Sequence, residues 1–193
     1  MKILFVRHGE SQDDIEDRYG GWADFDLTQN GSIQLKDSAE KIIKLNVKFE
    51  VILSSPLKRA LQSAEVLATE LNLPVDVLEY VKERNRYGVL TGMEKTKAKV
   101  KYPEEVRKLD KGDYVDASER QEDFEERIKK SVNIIKNTGK ENLIVVTHGS
   151  YLLGLFQIYA DKKLTKKDDG GFILVDVSSG GFTPISSDGI EYE

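Results

Sequence analysis

Short, unbroken apolar runs constrain this fold more than any other feature of the chain. They lie at residues 2–6, around Ile-Leu-Phe-Val, at 51–53 and at 143–146. Each is too short for a helix and lacks the alternation of a half-wet strand, so each reads as a strand buried on both faces of a parallel sheet. Segments of helical period lie between them. Thr28 is placed to cap a helix with Ile33, Ala39, Ile42, Ile43 and Leu45 as its apolar positions. Ser55 is an N-cap candidate with Pro56 at the first helical position, and Leu57, Ala60, Leu61, Ala64, Leu67, Ala68 and Leu71 follow as one stripe. Ser118 and Gln121 have the spacing of a capping box, and Phe124, Ile128, Val132 and Ile135 continue at helical period as far as Gly139. Strands alternating with helices imply right-handed crossovers, hence an α/β fold: a three-layer α/β/α sandwich with a mostly parallel central sheet. Two further strands, turned around Gly180 and Gly181, are expected at the sheet edge. The polar stretch from Arg84 to Tyr114, reaching to about residue 120, is weakly periodic and reads as an excursion that carries specificity.

With 193 residues, one domain spanning 1–193 is expected. Cysteine is absent, which excludes a disulfide framework, thiolate nucleophiles and Cys-ligated zinc. Twenty-nine basic and 34 acidic residues leave a net charge of -5, so neither nucleic acid nor an anionic membrane is an expected partner. "MKILFV" has no signal-peptide character and no apolar stretch is of bilayer length, which makes a cytoplasmic location the expectation. Oligomeric state is left as monomer or homodimer.

In parallel sheets, ligands bind beyond the carboxyl ends of the strands, where helix N-termini point their amides outward. The first run ends in Arg7-His8-Gly9 and the later one in His148-Gly149, and these are the chain's two histidines. Arg59 stands in the first turn of the helix after the second run. If these strands are neighbours, two arginines and two histidines meet, and such a pocket suits phosphate.

The motifs "RHGES" (7–11), "GGWADFDLTQNG" (20–31), "SSPLKRALQSAE" (54–65), "ERNRYGVLTG" (83–92) and "VVTHGS" (145–150) resemble, in order, those of the histidine phosphatase superfamily, phosphoglycerate mutase-like branch. The resemblance implies a phosphoglycerate mutase-like fold and a phosphohistidine intermediate on His8. It further implies that Arg7, Arg59 and His148 hold the phosphoryl group, with Glu83 as proton donor, and that no metal or cofactor takes part. Asp14, Gly20, Gly21, Arg84 and Gly149 are carried over as substrate-binding positions. Two departures stand out: one extra residue separates Glu83 from Gly88, and Asp14 replaces a more usual asparagine. Of "SERQEDFEER", only Asp123 and Arg127 keep their place, and no direct role is inferred from it.

The expected substrate is a small phosphorylated molecule. In the excursion, Arg84, Arg86, Lys95, Lys97, Lys99 and Lys101 are the candidates for meeting substrate charges, although the alternating lysine run reads as solvated surface, and Trp22, Tyr87 and Tyr102 are possible pocket walls. Hydrolysis is favoured over mutase chemistry, because the chain is shorter than typical mutases and the nearest match to their arginine pair is Arg107-Lys108. The rivals are a metal-dependent hydrolase built on His8, His148, Asp13 and Asp14, and a non-catalytic phosphate-binding or regulatory module on the same fold.

Overall fold

The computed structural model describes residues 1–178 and 181–193. Its elements are β1 (Lys2–Arg7), α1 (Gln12–Ile15), α2 (Gln29–Lys44), β2 (Ile52–Ser54), α3 (Lys58–Leu71), β3 (Val75–Val77), α4 (Lys95–Lys101), α5 (Pro103–Lys111), α6 (Gln121–Lys136), β4 (Asn142–Thr147), α7 (Gly149–Tyr159), β5 (Leu164–Ser178) and β6 (Gly181–Tyr192). The strands form one sheet in the order β3-β2-β4-β1-β5-β6. The first four run parallel, and β5 and β6 add an antiparallel edge. Gly181 opens β6, as expected of the hairpin; Gly180 lies outside the described residues. Strand β3 gave no apolar run of its own. It is a half-exposed edge strand that pairs with β2.

The apolar runs are buried on both faces, as their lack of alternation requires. Ile3 and Phe5 join Leu143 and Val145 against α6 and α7. Leu4 and Val6 join Ile144 and Val146 against α2 and α3. Helices therefore cover both sides of the sheet.

Three sequence expectations shift by a residue or two. In α2, Thr28 accepts a hydrogen bond from Gly31 N–H as expected, but Leu35, Ala39 and Ile42 form the buried face while Ile33 and Ile43 stay exposed. Helix α3 starts at Lys58, not at Pro56, because Lys58 N–H is taken by the Asp24 carboxylate across the loop at 2.7 Å and Ser55 is engaged elsewhere. Helix α6 starts at Gln121 with Arg120 as its N-cap; Ser118 belongs to the preceding turn, where its N–H reaches the Val115 carbonyl.

The excursion has its own small core. Leu90, Ala98, Val106, Leu109 and Val115 pack on Tyr19, with Tyr87 and Tyr102 partly buried against them. The lysines at 97, 99 and 101 are exposed around α4, and Lys95 pairs with Asp17 at 2.5 Å.

Candidate active site

Strands β1 and β4 pair in parallel register, with Arg7 opposite Thr147, so their C-terminal ends stop at one level. His8 and His148 follow directly, their ring centroids 5.0 Å apart and both rings buried. His8 N–H donates to the Thr147 carbonyl at 3.0 Å and the Gly170 N–H donates to the His8 carbonyl at 3.1 Å, which pins the residue between β4 and a bulge in β5. Gly9 N–H reaches Ser63 Oγ on α3 at 3.1 Å.

The His8 ring has a defined tautomer. A carbonyl can only accept, so the 2.7 Å contact between Nδ1 and the Gly9 carbonyl puts the hydrogen on Nδ1. Nε2 keeps its lone pair and receives Arg59 Nε–H at 3.3 Å. Burial first, then the Arg59 and Arg7 charges, hold the His8 imidazole well below the usual histidine range, against the opposing pull of the Gly9 carbonyl. His148 is lowered in the same way, by burial and then by Arg59. Both rings are thus neutral at pH 7.

Arg59 is buried in the first turn of α3. Its Nη1 and Nη2 donate to the carbonyls of Ala23 and Gly21, both at 2.9 Å, so the Gly20-Gly21 turn acts by aiming this guanidinium. Gly21 has φ +53°, and a Cβ on Gly20 would come within 2.0 Å of the Asp13 carboxylate. Both positions therefore favour glycine.

Arg7 is held by the C-terminal hairpin, which sequence reasoning had not linked to the site. Its Nη2 pairs with Asp169 at 2.8 Å and its Nη1 donates to the Lys167 carbonyl. Burial raises the Asp169 carboxyl against the lowering effect of Arg7. The methylenes of Lys167 also pack beside Gly149: a Cβ there would meet Lys167 Cε at 3.4 Å and Arg7 Nε at 3.7 Å.

Two buried nitrogens in this cluster, Arg7 Nε and His148 Nδ1, have no hydrogen-bond partner. Buried polar atoms are normally satisfied, so two unmatched nitrogens beside His8 are suited to a ligand's oxygens. His148 Nε2 lies 2.8 Å from Ser55 Oγ, a partner that the reading of Ser55 as a helix cap had hidden.

Glu83 is carried to the first turn of α7, just after His148, despite the longer spacing to Gly88. Its carboxylate accepts Ser150 N–H, in the first turn of α7, at 3.2 Å and Arg84 N–H at 2.7 Å. Arg127 places this segment: it donates to the carbonyls of Tyr80, Lys82 and Glu83, and makes a two-pronged bond to Glu119 at 2.7 and 2.8 Å. The available signal was a charge on an apolar stripe, since Arg127 stands three residues after the buried Phe124. Trp22 Nε1 also donates to the Glu83 carbonyl, at 2.6 Å.

Two carried-over positions are placed otherwise. Asp14 is exposed, and its carboxylate accepts from Ser11 N–H and Oγ at 2.9 and 3.0 Å, completing the capping box of α1. Arg84 stacks on Phe124 at 5.4 Å and lines a cavity to which His8, Arg7, Arg59 and His148 contribute nothing. Its route is fixed by the Arg127 clamp on the preceding carbonyls. Asp13 bonds Ser11 Oγ at 2.7 Å, and among the described residues no group of three or more His, Asp or Glu side chains is gathered to hold a metal ion. Among the same residues, no helix is long and apolar enough to cross a membrane.

Comparisons with known proteins fit this geometry. The crystal structure of the alpha-ribazole phosphatase from Shigella flexneri superposes with a TM-score of 0.81 at 20% identity, covering 96% of this chain and 95% of that one. Phosphoglycerate mutase from Bacillus anthracis gives 0.77 at 21% identity, covering 96% and 92%. At these identities the likeness establishes a shared phosphoglycerate mutase-like fold. A 2,3-bisphosphoglycerate-dependent phosphoglycerate mutase of Baumannia cicadellinicola is 36% identical over 107 residues; the match takes in 54% of this chain and only 45% of that relative. A family model matches residues 3–177, and the chain belongs to the histidine phosphatase superfamily (branch 1).

Proposed function

We propose that this protein is a phosphomonoester hydrolase working through a phosphohistidine on His8. The observation that carries the reading is the His8 ring itself: neutral, hydrogen on Nδ1, lone pair on Nε2, beside two buried nitrogens without partners.

The ester phosphoryl group sits between Arg7, Arg59 and His148. His8 Nε2 attacks phosphorus in line; the P–N bond forms as the P–O bond to the leaving group breaks. The Arg59 N–H that meets Nε2 in the free protein turns to a phosphoryl oxygen. Charge spread over those oxygens is met by donors already fixed by Asp169, the Lys167 carbonyl and the Gly21 and Ala23 carbonyls, so little rearrangement is needed. Protonated Glu83 gives its hydrogen to the leaving oxygen. It then takes one from the water that breaks the P–N bond and releases inorganic phosphate.

The mutase alternative draws on the partial match to a mutase. Against it, the adjacent cations Arg107 and Lys108 are paired to Glu104 and Glu105 on their own helix, at 2.5 and 2.7 Å. The deciding experiment is hydrolysis of an activated aryl phosphate with an uncharged aryl group in excess chelator, with acid-labile, base-stable phosphate trapped on the protein by rapid quenching. His8→Ala is expected to abolish both signals; full turnover in that variant overturns the mechanism. Adding 3-phosphoglycerate with its bisphosphate primer separates the two reactions: isomerisation faster than phosphate release favours the mutase.

A further inference from the structure

The chain has eight arginines, and five are engaged. Arg7, Arg18, Arg107 and Arg127 pair with carboxylates, and Arg59 is held by His8 and two carbonyls. Among the described residues, the remaining three guanidinium groups, on Arg84, Arg86 and Arg120, have neither an ion pair nor a hydrogen bond. All three line one cavity of about 610 Å³, together with Tyr114 and the first turn of α6. Unpaired arginines scattered over a surface would need no explanation. Three converging on one concavity, while the other five are satisfied, is a different arrangement.

Two of the three are held against aromatic rings, and Arg86 is exposed to solvent. Arg84 lies over the Phe124 ring at 5.4 Å, with its Nε buried and unpartnered; Arg120 lies over Tyr114 at 5.7 Å. Burial disfavours the charge on Arg84, a cost that an anion would offset. The 16-residue α6 adds its N-terminal amides, with no side-chain cap at Arg120. Three carboxylates share the lining. Glu119 is neutralised by Arg127, and Asp113 and Glu122 are exposed to solvent.

We infer that this cavity is a second anion-binding site, built for a carboxylate or phosphate group and separate from the phosphoryl pocket. Planar guanidinium groups favour acceptors with paired oxygens, which both anions provide. The site adjoins the chemistry through one peptide bond. Glu83 turns to the α7 N-terminus and Arg84, the next residue, turns into the cavity, so an anion held there is registered at the proposed proton donor. The anion is either a second charged group on the substrate or a free anion acting as effector. Both sources rest on the same cavity, and only the kinetic arm of the test rests on the phosphatase reading.

The binding arm uses malonate as the probe, with amide spectra of the ¹⁵N-labelled full chain. Saturable shifts at Ser118, Arg120 and Gln121 are expected, with at least tenfold weaker binding in Arg86→Gln/Arg120→Gln and no weakening in His8→Ala. No saturable shift at these amides, or equal affinity in the double variant, overturns the site. The kinetic arm compares esters whose leaving group carries a carboxylate with neutral aryl esters. If the substrate supplies the anion, the ratio of their kcat/KM values falls about tenfold in the double variant; if a free anion does, malonate changes neutral-ester turnover in the wild type and not in the variant. A protein inactive on every ester refutes the phosphatase reading, and the spectra still decide the cavity.

Discussion

Ser55 Oγ stands 2.8 Å from His148 Nε2 and accepts Leu57 N–H at 3.3 Å. Among the described residues the hydroxyl hydrogen has no other acceptor, so it is available to Nε2. A neutral His148 then carries its own hydrogen on Nδ1, the buried nitrogen without a partner. Ser55 is thereby a positioning residue for the second histidine.

Ser55→Ala is expected to lower kcat by 10²-fold or so, in keeping with loss of one aligned donor to a phosphoryl oxygen. Ser55→Thr, which keeps the hydroxyl, recovers most of it. The ¹⁵N shifts of the His148 ring are the direct check: Nδ1 bears hydrogen in the wild type and loses that preference in Ser55→Ala. Unchanged ring shifts in the alanine variant refute the assignment.

Arg127 and Glu119 form a mostly buried pair, with side-chain exposures of 12% and 8%. Arg127→Met leaves the Glu119 carboxylate unpaired and is expected to destabilise the fold by about 3–5 kcal/mol. Adding Glu119→Gln returns part of that loss. In the doubly substituted protein, stable enough to assay, the freed Glu83 carbonyl lets the side chain of the proposed proton donor wander, so kcat stays depressed while KM changes little. Denaturant melts and the split between kcat and KM together separate the two effects; a kcat equal to that of the wild type counts against a positioning role.

Stability should depend on pH through both histidines. Each has a folded-state pKa held below its unfolded value of about 6.5, so the unfolded chain binds more protons in the window just below 6.5. The contribution is fully present above about pH 6.5 and is lost as pH falls towards the folded-state values, at up to about 1.4 kcal/mol per pH unit for each ring. Urea melts at pH 7.5, 6 and 5 measure this slope, and His8→Gln should reduce it by about half. The same lowering keeps His8 unprotonated, so under the proposed mechanism kcat/KM for the aryl ester should hold level through pH 6 rather than fall by half near 6.5.

Thr28 caps α2 and also donates to Glu10 at 2.6 Å, away from the two histidines. Thr28→Ala is expected to cost about 1 kcal/mol of stability with little effect on turnover. Calorimetry together with an aryl phosphate assay checks both halves of the statement.

What was legible in the sequence was whatever a strand or a helix delivers by itself. Arg7, His8 and His148 ride on the ends of two doubly buried strands, and Arg59 on the first turn of a helix, so local pattern alone placed them. The residues that were missed act across the chain. Asp24 supplies the α3 cap from a loop, which displaced the start expected at Pro56. Ser55 looked like that cap because a serine before a proline carries the same signal whether its hydroxyl meets an amide or an imidazole. Asp169 and Lys167 sit in a strongly polar part of β5, whose strand character comes from pairing with β6 and is interrupted by register shifts, so no periodicity marked it. Ile33 and Ile43 were assigned to the wrong side of α2 because β5 and α3 decide which face is covered.

The neighbours of β1 in the sheet are β4 and β5, with Lys2 opposite Asn142 on one side and Asp176 on the other. The strand that ends at His8 is thus made early, has nothing to pair with until synthesis has passed residue 147, and gains its second neighbour only as synthesis passes residue 176. A ribosome releasing this chain from its N-terminus extrudes β2, β3 and three of the covering helices first, while His8 waits without the Thr147 carbonyl, the Gly170 amide or the Asp169 anchor for Arg7. Loop closure over such distances is slow relative to local helix formation. The cluster of Arg7, His8, Arg59 and His148 is consequently assembled late, after most of the covering helices have left the ribosome.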